Sequence, residues 1–233
     1  MSLLTFTVEK AIVIKRPSRK IKSPYVADIK INDIEYLAHT PGLHLGGQIV
    51  EGSEVYVEKS KESCKTDYKI ISVLIDGTYI CAQPIYANYI FEKVIKERIL
   101  EEFKDYKEIK REVMIEKDHR VDFMVDDSYI EVKSVVCKEG ECGIFPVGGI
   151  LKKYEGYKTI SPRAIKHIKK MNELNDPYIY FILLRNDCNE FKGNMEKDPY
   201  FCEVLNSATN VKVRCFDVCV SDTDIKFGKV INY

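Results

Sequence analysis

The segment RVDFMVDDSYIEVKSVV, residues 120–136, leaves few choices of fold. Its first arm alternates apolar and polar residues. Asp126, Asp127 and Ser128 supply a turn, and the second arm is β-branched, so the stretch reads as a β-hairpin. Three charged residues, Asp122, Glu131 and Lys133, sit inside these otherwise apolar arms. Glu131 and Lys133 are two apart and share one face of a strand. Pairing across the hairpin brings Asp122 to them. Charges embedded in apolar strands need partners or an ion. Two close carboxylates repel unless a cation lies between them, and oxygen ligands of this kind suit Mg2+ or Mn2+. The expectation is that Asp122 and Glu131 bind the metal. Lys133 beside them would stabilise charge developing on an attacked phosphate, as in metal-dependent phosphodiesterases. The strand-like YKEIKREVMIE upstream offers Glu112 as a further catalytic carboxylate. The competing reading of the same residues is a solvated ion pair across two strands.

The chain of 233 residues is long enough for one large domain or two small ones. Lys and Arg number 36 and so do Asp and Glu, so the net charge is zero and no global field draws the protein to DNA or anionic lipid. Nucleic-acid binding then has to come from a local basic patch. No apolar run is long enough to span a bilayer. The start MSLLTFTVEK lacks the basic end and long apolar stretch of a secretory signal, so a cytoplasmic location is expected. The eight cysteines form no CxxC pair and have no histidine at zinc-ligand spacing, which reads as reduced thiols filling the core.

Residues 1–83 are rich in short β-like segments: TFTVEKAIVIK, YVADIKIND, IEYLAHT, SEVYVEKS, YKIISVLID and TYICAQ. Turn signals lie in INDIE and IDGTY. So many short strands in so small a space predict a compact barrel, with the OB-fold leading. Near Pro84 the period changes. ANYIFEKVIKERILEEF has helical spacing, with Ile90, Val94, Ile95, Leu100 and Phe103 as its apolar stripe. Three strands follow, then a glycine-bearing loop over about residues 138–160. SPRAIKHIKKMNEL is a helix with Ser161 as N-cap and Pro162 in the first position. YIYFILLRN is a buried strand, DPYFCEVLNSAT a short helix and VKVRCFDVCVS a last strand. The order over residues 84–233 is αβββαβ, a layered α/β or α+β domain.

Two basic clusters stand out. Lys15, Arg16, Arg19, Lys20 and Lys22 lie between the first two strands, where an OB-fold borders its strand-binding face. Arg163, Lys166 and Lys170 share one face of their helix and suit phosphate contact. Both also read simply as solvated faces. Tyr25 and Tyr36 suit base stacking or a barrel rim. His39 and His44 read as structural. Asn88 and Glu92, one helical turn apart, are placed to face the site. Gly46-Gly47 and Gly148-Gly149 are followed by no Gly-Lys-Ser/Thr and so make no phosphate loop.

Taken in order, LAHTPG, VEGSEVYVEKS, CKTDYKIISV, ANYIFEKVIKERILEEF, REVMIEKDHRVDFMVDDSYIEVKSV, Phe145-Pro146, RAIKHI and DPYFCEVLNSAT resemble the sugar fermentation stimulation protein A family. The resemblance runs across nearly the whole chain. It implies an N-terminal OB-fold joined to a restriction-endonuclease-like domain of the PD-(D/E)xK type, DNA as partner, and metal-dependent nuclease ancestry. By position Asp122, Glu131 and Lys133 match the nuclease motif, and Glu112 matches the family's Arg-Glu-Val. The chain departs from the pattern after His39, and at Pro162 and Ile165, where the family has Glu and Gln. Two classes of function stay open: a Mg2+- or Mn2+-dependent nuclease acting on DNA, and a non-catalytic DNA-binding or regulatory protein on the same fold. A homodimer is compatible with either.

Overall fold

The structure is a computed structural model that describes residues 1–41, 47–117 and 119–233. His44 and Gly46 lie outside the described residues. The chain opens with a short strand, β1 (Ser2–Thr5), followed by β2 (Glu9–Lys15), β3 (Val26–Ile31), β4 (Ile34–His39), β5 (Glu54–Lys59), β6 (Tyr68–Ile75) and β7 (Thr78–Cys81). β2 pairs with β3 and β5, β3 with β4, and β5 with β6, all antiparallel. A short parallel contact between β4 and β6 closes the ring, and β7 extends β6 outside it. This is the five-stranded Greek-key closure of an OB-fold. Its interior is aliphatic, with Val13, Ile29, Val55, Val57 and Ile70 all buried.

The second part begins with α1 (Tyr86–Lys96) and continues through β8 (Ile109–Glu116), β9 (His119–Val125) and β10 (Ser128–Val135). Four short strands follow: β11 (Cys137–Glu139), β12 (Cys142–Phe145), β13 (Lys152–Tyr154) and β14 (Tyr157–Thr159). Then come α2 (Pro162–Met171), β15 (Pro177–Leu183), β16 (Glu190–Gly193), α3 (Pro199–Ser207), β17 (Lys212–Val220) and β18 (Asp224–Val230). Seven strands form one mixed sheet in the order β1-β18-β17-β15-β10-β9-β8. Its centre, β10-β15-β17, is parallel. All seven residues of β15 are buried, as a strand covered on both faces requires. Ile130 and Val132 of β10 pack with Ile90, Phe91 and Val94 of α1 on one face. Val135 packs with Ile165 and Ile168 of α2 and Phe201 of α3 on the other. The α+β architecture expected from the sequence is the one observed.

Several local expectations are corrected. TFTVEKAIVIK is two strands, and β1 leaves the barrel to pair with β18 at the edge of the larger sheet. A boundary at residues 83/84 therefore strands β1 on the wrong side. The reason is burial: Leu3 sits in the α1 core, and the Phe6 amide donates to Thr223 O at 2.8 Å. The first helix ends at Lys96, because Arg98 takes a left-handed φ of 57° and a left-handed residue stops a helix. Leu100 and Phe103 reach the same core through a 3-10 turn, Glu101–Phe103. The loop expected over residues 138–160 holds β11 to β14. VKVRCFDVCVS is followed by a further strand, β18. Among the cysteines, all eight are free thiols and only Cys64 is exposed.

Ser161 precedes α2 as expected but does not cap it with its side chain. Its hydroxyl donates instead to Asp198 Oδ2 at 2.7 Å. The same oxygen accepts from Thr159 Oγ1 at 2.7 Å and from the amides of Ile160 and Ser161 at 3.1 Å. Asp198 Oδ1 caps α3 by accepting from Phe201 N at 3.2 Å. One fully buried carboxylate thus fixes the start of both helices. Asp198→Ala is expected to cost about 2–4 kcal/mol, a lost cap plus buried donors left unmet. Urea unfolding checks this; an unchanged midpoint would contradict it.

Candidate active site

The ladder between β9 and β10 is short. It runs from Val125–Ser128 to Phe123–Ile130 and then stops, while β10 stays paired with β15 from Tyr129 to Val135. Beyond Ile130 the two strands part, and the backbone N–H of Val132 has no strand partner on the β9 side. The Asp122 side chain takes that place, its Oδ2 accepting from Val132 N at 2.8 Å. Its Oδ1 accepts from Asn88 Nδ2 of α1 at 3.1 Å. Extending the register puts Asp122 opposite Glu131. By alternation from Val135, Glu131 and Lys133 point to the α2 side of the sheet.

Glu131 is 2% exposed, unusually low for a carboxylate. Its Oε1 is in contact with both Lys133 Nζ and His167 Nδ1 of α2. Its Oε2 is buried without a hydrogen-bond partner among the described residues, and so is His119 Nε2. The His119 and His167 rings meet edge to face with centroids 5.6 Å apart. Burial first, and then the charge of Glu131, push the Asp122 carboxyl above its ordinary range. Burial works the same way on Glu131, but Lys133 and His167 outweigh it and hold that carboxyl below its ordinary range. Burial, and next His167, keep His119 below the usual imidazole range.

Asp122 opens into a cleft of about 610 Å3 between β8, β9 and α2. Arg163, Lys166 and His167 line it from α2, and Glu112, Lys117, His119 and Arg120 from the strands. The structure thus brings Asp122, Glu131 and Lys133 together, with Arg163 and Lys166 on the wall. Glu112 reaches the cleft but is turned onto Arg120 at 3.0 Å, half exposed. Lys170 lies outside the lining and pairs with Glu116 and Glu173. Of the α1 pair, Asn88 joins the site, whereas Glu92 pairs with Lys96 and Arg111. On the barrel, Arg16 is committed internally, its Nε donating to Pro24 O at 2.9 Å. Arg19 lies 3.8 Å from Asp28. Lys15, Lys20 and Lys22 are exposed.

The sequence reading missed His119 and His167. The signal was present in their positions, three residues before Asp122 and one turn after Arg163, but a lone histidine is weak evidence. For a divalent cation the fit is partial. Among the described residues no cluster of three or more His, Cys, Asp or Glu is arranged as a metal cage. Against that stand two carboxylates facing one another, one of them with a buried oxygen unpartnered. Oxygen donors of this kind suit a hard cation, with water completing the shell.

The family description "Sugar fermentation stimulation protein RE domain" matches residues 85–224. A sugar fermentation stimulation protein homolog of Aquifex aeolicus is 33% identical over 155 residues, 65% of this chain and 64% of that protein. The chain thus aligns with just under two thirds of that relative's length. A homolog of Thermosipho melanesiensis is 28% identical over 198 residues, 82% of this chain and 79% of that protein. The solved structure of Pyrococcus furiosus SfsA in complex with Ca2+ superposes with a TM-score of 0.82 at 22% identity, covering 100% of this chain and 98% of that one. At that identity the likeness is one of fold.

The two carboxyls are shifted in opposite directions, and so are their expected effects on stability. The folded pKa of Asp122 is raised, so its charge destabilises the fold above the unfolded pKa, and the penalty vanishes at low pH. Asp122→Asn, with the Asn88 amide turned over, is expected to melt at least as high as the parent at neutral pH. The folded pKa of Glu131 is lowered, so it stabilises above the unfolded pKa and the gain is lost as pH falls through the folded one. Glu131→Gln is expected to cost about 2 kcal/mol at neutral pH and less in acid. Urea titrations of both variants at about pH 7 and about pH 3 read the contrast; the reverse order would overturn these assignments.

Proposed function

The chain belongs to the sugar fermentation stimulation protein family, and from that premise we propose that it is a DNA-binding protein whose C-terminal domain hydrolyses phosphodiester bonds with a divalent cation, Mg2+ or Mn2+. The observation that carries this reading is Asp122 in a cleft walled by Arg163 and Lys166, with the buried Glu131 opposite it on β10, held at Oε1 by Lys133 and His167 and unpartnered at Oε2. A protein of the same fold is described in complex with Ca2+, which supports a divalent cation as the partner of this fold. Asp122 and Glu131 would hold it. When bound, such an ion polarises a phosphoryl oxygen and eases deprotonation of a water.

The remaining work falls to the chain itself. Lys133, held on Glu131 behind Asp122, would supply a compact charge to the negative charge that develops on the attacked phosphate. Such a group counts for more in the transition state than in the ground state. Arg163 and Lys166 hold neighbouring phosphates on the wall. His167 orients Glu131 by occupying Oε1, so that Oε2 stays turned away from it. A second reading, a DNA-binding protein without catalysis, is favoured by one observation: both Asp122 oxygens are already engaged, by Val132 and Asn88.

Cleavage separates the two readings. With labelled single-stranded, duplex and branched DNA and either ion, Lys133→Ala is expected to lower the rate by about two to three orders of magnitude. Affinity should change far less, and Lys133→Arg should restore only part, since a planar fork does not replace an ammonium. A wild type that cuts nothing with either ion would hand the fold to the binding-protein reading. Undiminished cutting by Lys133→Ala would reduce Lys133 to an ion-pair partner.

Binding itself is assigned to Lys15, Lys20 and Lys22 on the barrel and to Arg163 and Lys166 at the cleft. Affinity should fall steeply with salt, and each of these residues replaced by alanine should flatten the log–log slope by about 0.7–0.9 where it meets a phosphate. Arg16 and Arg19, tied to Pro24 and Asp28, should contribute little of the slope. Salt-independent binding, or no change with all five replaced, would refute the assignment.

A further inference from the structure

Two of the cavities outside the cleft meet at one aromatic side chain. The first, of about 910 Å3, lies on the barrel between the β2–β3 and β5–β6 connections. Tyr25, His39, Lys59, Lys61 and Lys65 are among its walls. These three lysines are exposed and form no ion pair among the described residues. The second, of about 380 Å3, lies where the barrel meets the C-terminal domain. Its lining is mostly apolar and includes Tyr25, Pro84, Val136, Phe145 and Pro146.

Tyr25 lines both cavities. It is 39% exposed, a large ring held at a junction rather than packed in a core. Its hydrogen bonds are made by its backbone, to Ser23 Oγ and from Thr40 N. The far end of the small cavity touches Ser134 and Val135, the residues directly after Lys133. It also touches Ser161, two residues before Arg163 of the cleft wall. The lysine-lined groove and the apolar slot therefore share the ring of Tyr25, and the slot is lined by residues next in sequence to Lys133 and close to Arg163 of the cleft.

Exposed lysines beside a small apolar slot suit a strand whose phosphates are evenly spaced and whose bases are free to turn aside. Stacking on an aromatic ring needs only the π-face of a base, so a slot poor in polar groups suits it whatever the sequence. A duplex keeps its bases paired and cannot offer one without unstacking. We infer that the cavity behind Tyr25 is a slot for one unpaired nucleobase, and that the substrate of the cleft is a single strand led to it across the barrel. This rests on the nucleic-acid reading above and narrows its substrate class.

The test is made in EDTA, where nothing is cut. Fluorescence anisotropy compares a labelled oligothymidylate with a duplex of equal length, for the wild type, Tyr25→Ala and Tyr25→Phe. A second single strand carries one 2-aminopurine. Tyr25→Ala is expected to lose about tenfold in single-strand affinity, the scale of one stacked base, with duplex affinity unchanged. Tyr25→Phe should bind as the wild type does. The 2-aminopurine should be quenched by the wild type and the Phe variant but not by the Ala variant. Equal single-strand affinity in wild type and Tyr25→Ala would overturn the slot, as would an equal loss on duplex. Because no cleavage is measured, a protein that stacks a base but never cuts DNA would fail the catalytic reading alone. A wild type that binds no nucleic acid would end both.

Discussion

The site follows from one backbone amide. Where β9 turns away from β10, the N–H of Val132 is left at the centre of a buried sheet, and a buried donor must be met. Asp122 meets it. That substitution of side chain for strand sets a carboxylate opposite Glu131, in surroundings that favour neither charge. Glu131 is tolerable because Lys133 and His167 converge on one of its oxygens. The other oxygen is left over, and Asp122 is driven toward its neutral form by burial and by its neighbour. Glu131 is closed off from water and Asp122 meets it only at the cleft, so the repulsion of the two carboxylates is relieved only in part by solvation. A cation of small radius relieves it most directly.

A neutral sequence has no long-range field to draw in a polyanion. Among the described residues, Lys15, Lys20 and Lys22 on the barrel and Arg163 and Lys166 over the cleft form no ion pair. Many others are spent internally, as Lys170 is on Glu116 and Glu173 and Arg16 is on main-chain carbonyls. The edge strand β1 carries Leu3 into the α1 core, so the two parts of the molecule share more than a linker.

Much of this was legible in the sequence because it is periodic. Alternation in residues 120–136 gave the hairpin and the shared face of Glu131 and Lys133, and the apolar run of residues 179–184 gave the buried strand. The change of period near Pro84 separated barrel from sheet. What stayed hidden depends on contacts distant in sequence. Nothing local says that β1 pairs with residues 224–226, or that Ser161 spends its hydroxyl on Asp198. His167 stands 36 residues beyond Glu131 and becomes meaningful only once α2 is docked on the sheet. Glu112 shows the opposite failure. Its spacing brings it to the cleft, but its carboxylate is held by Arg120, which pairs with Met114 and so lies diagonally across the two strands. A count of charges by type cannot tell a free lysine from a paired one, which is why Lys170 and Arg16 were grouped with their neighbours.

The measurement that bears most directly on the central claim is calorimetric titration of Mn2+ and Ca2+ into the wild type, Asp122→Asn and Glu131→Gln without nucleic acid. The account predicts saturable binding of one ion by the wild type and its loss in both variants, with urea unfolding used to check that each variant is folded. Equal binding by all three proteins would place any metal elsewhere and leave the Asp122–Glu131 pair a structural element of the sheet.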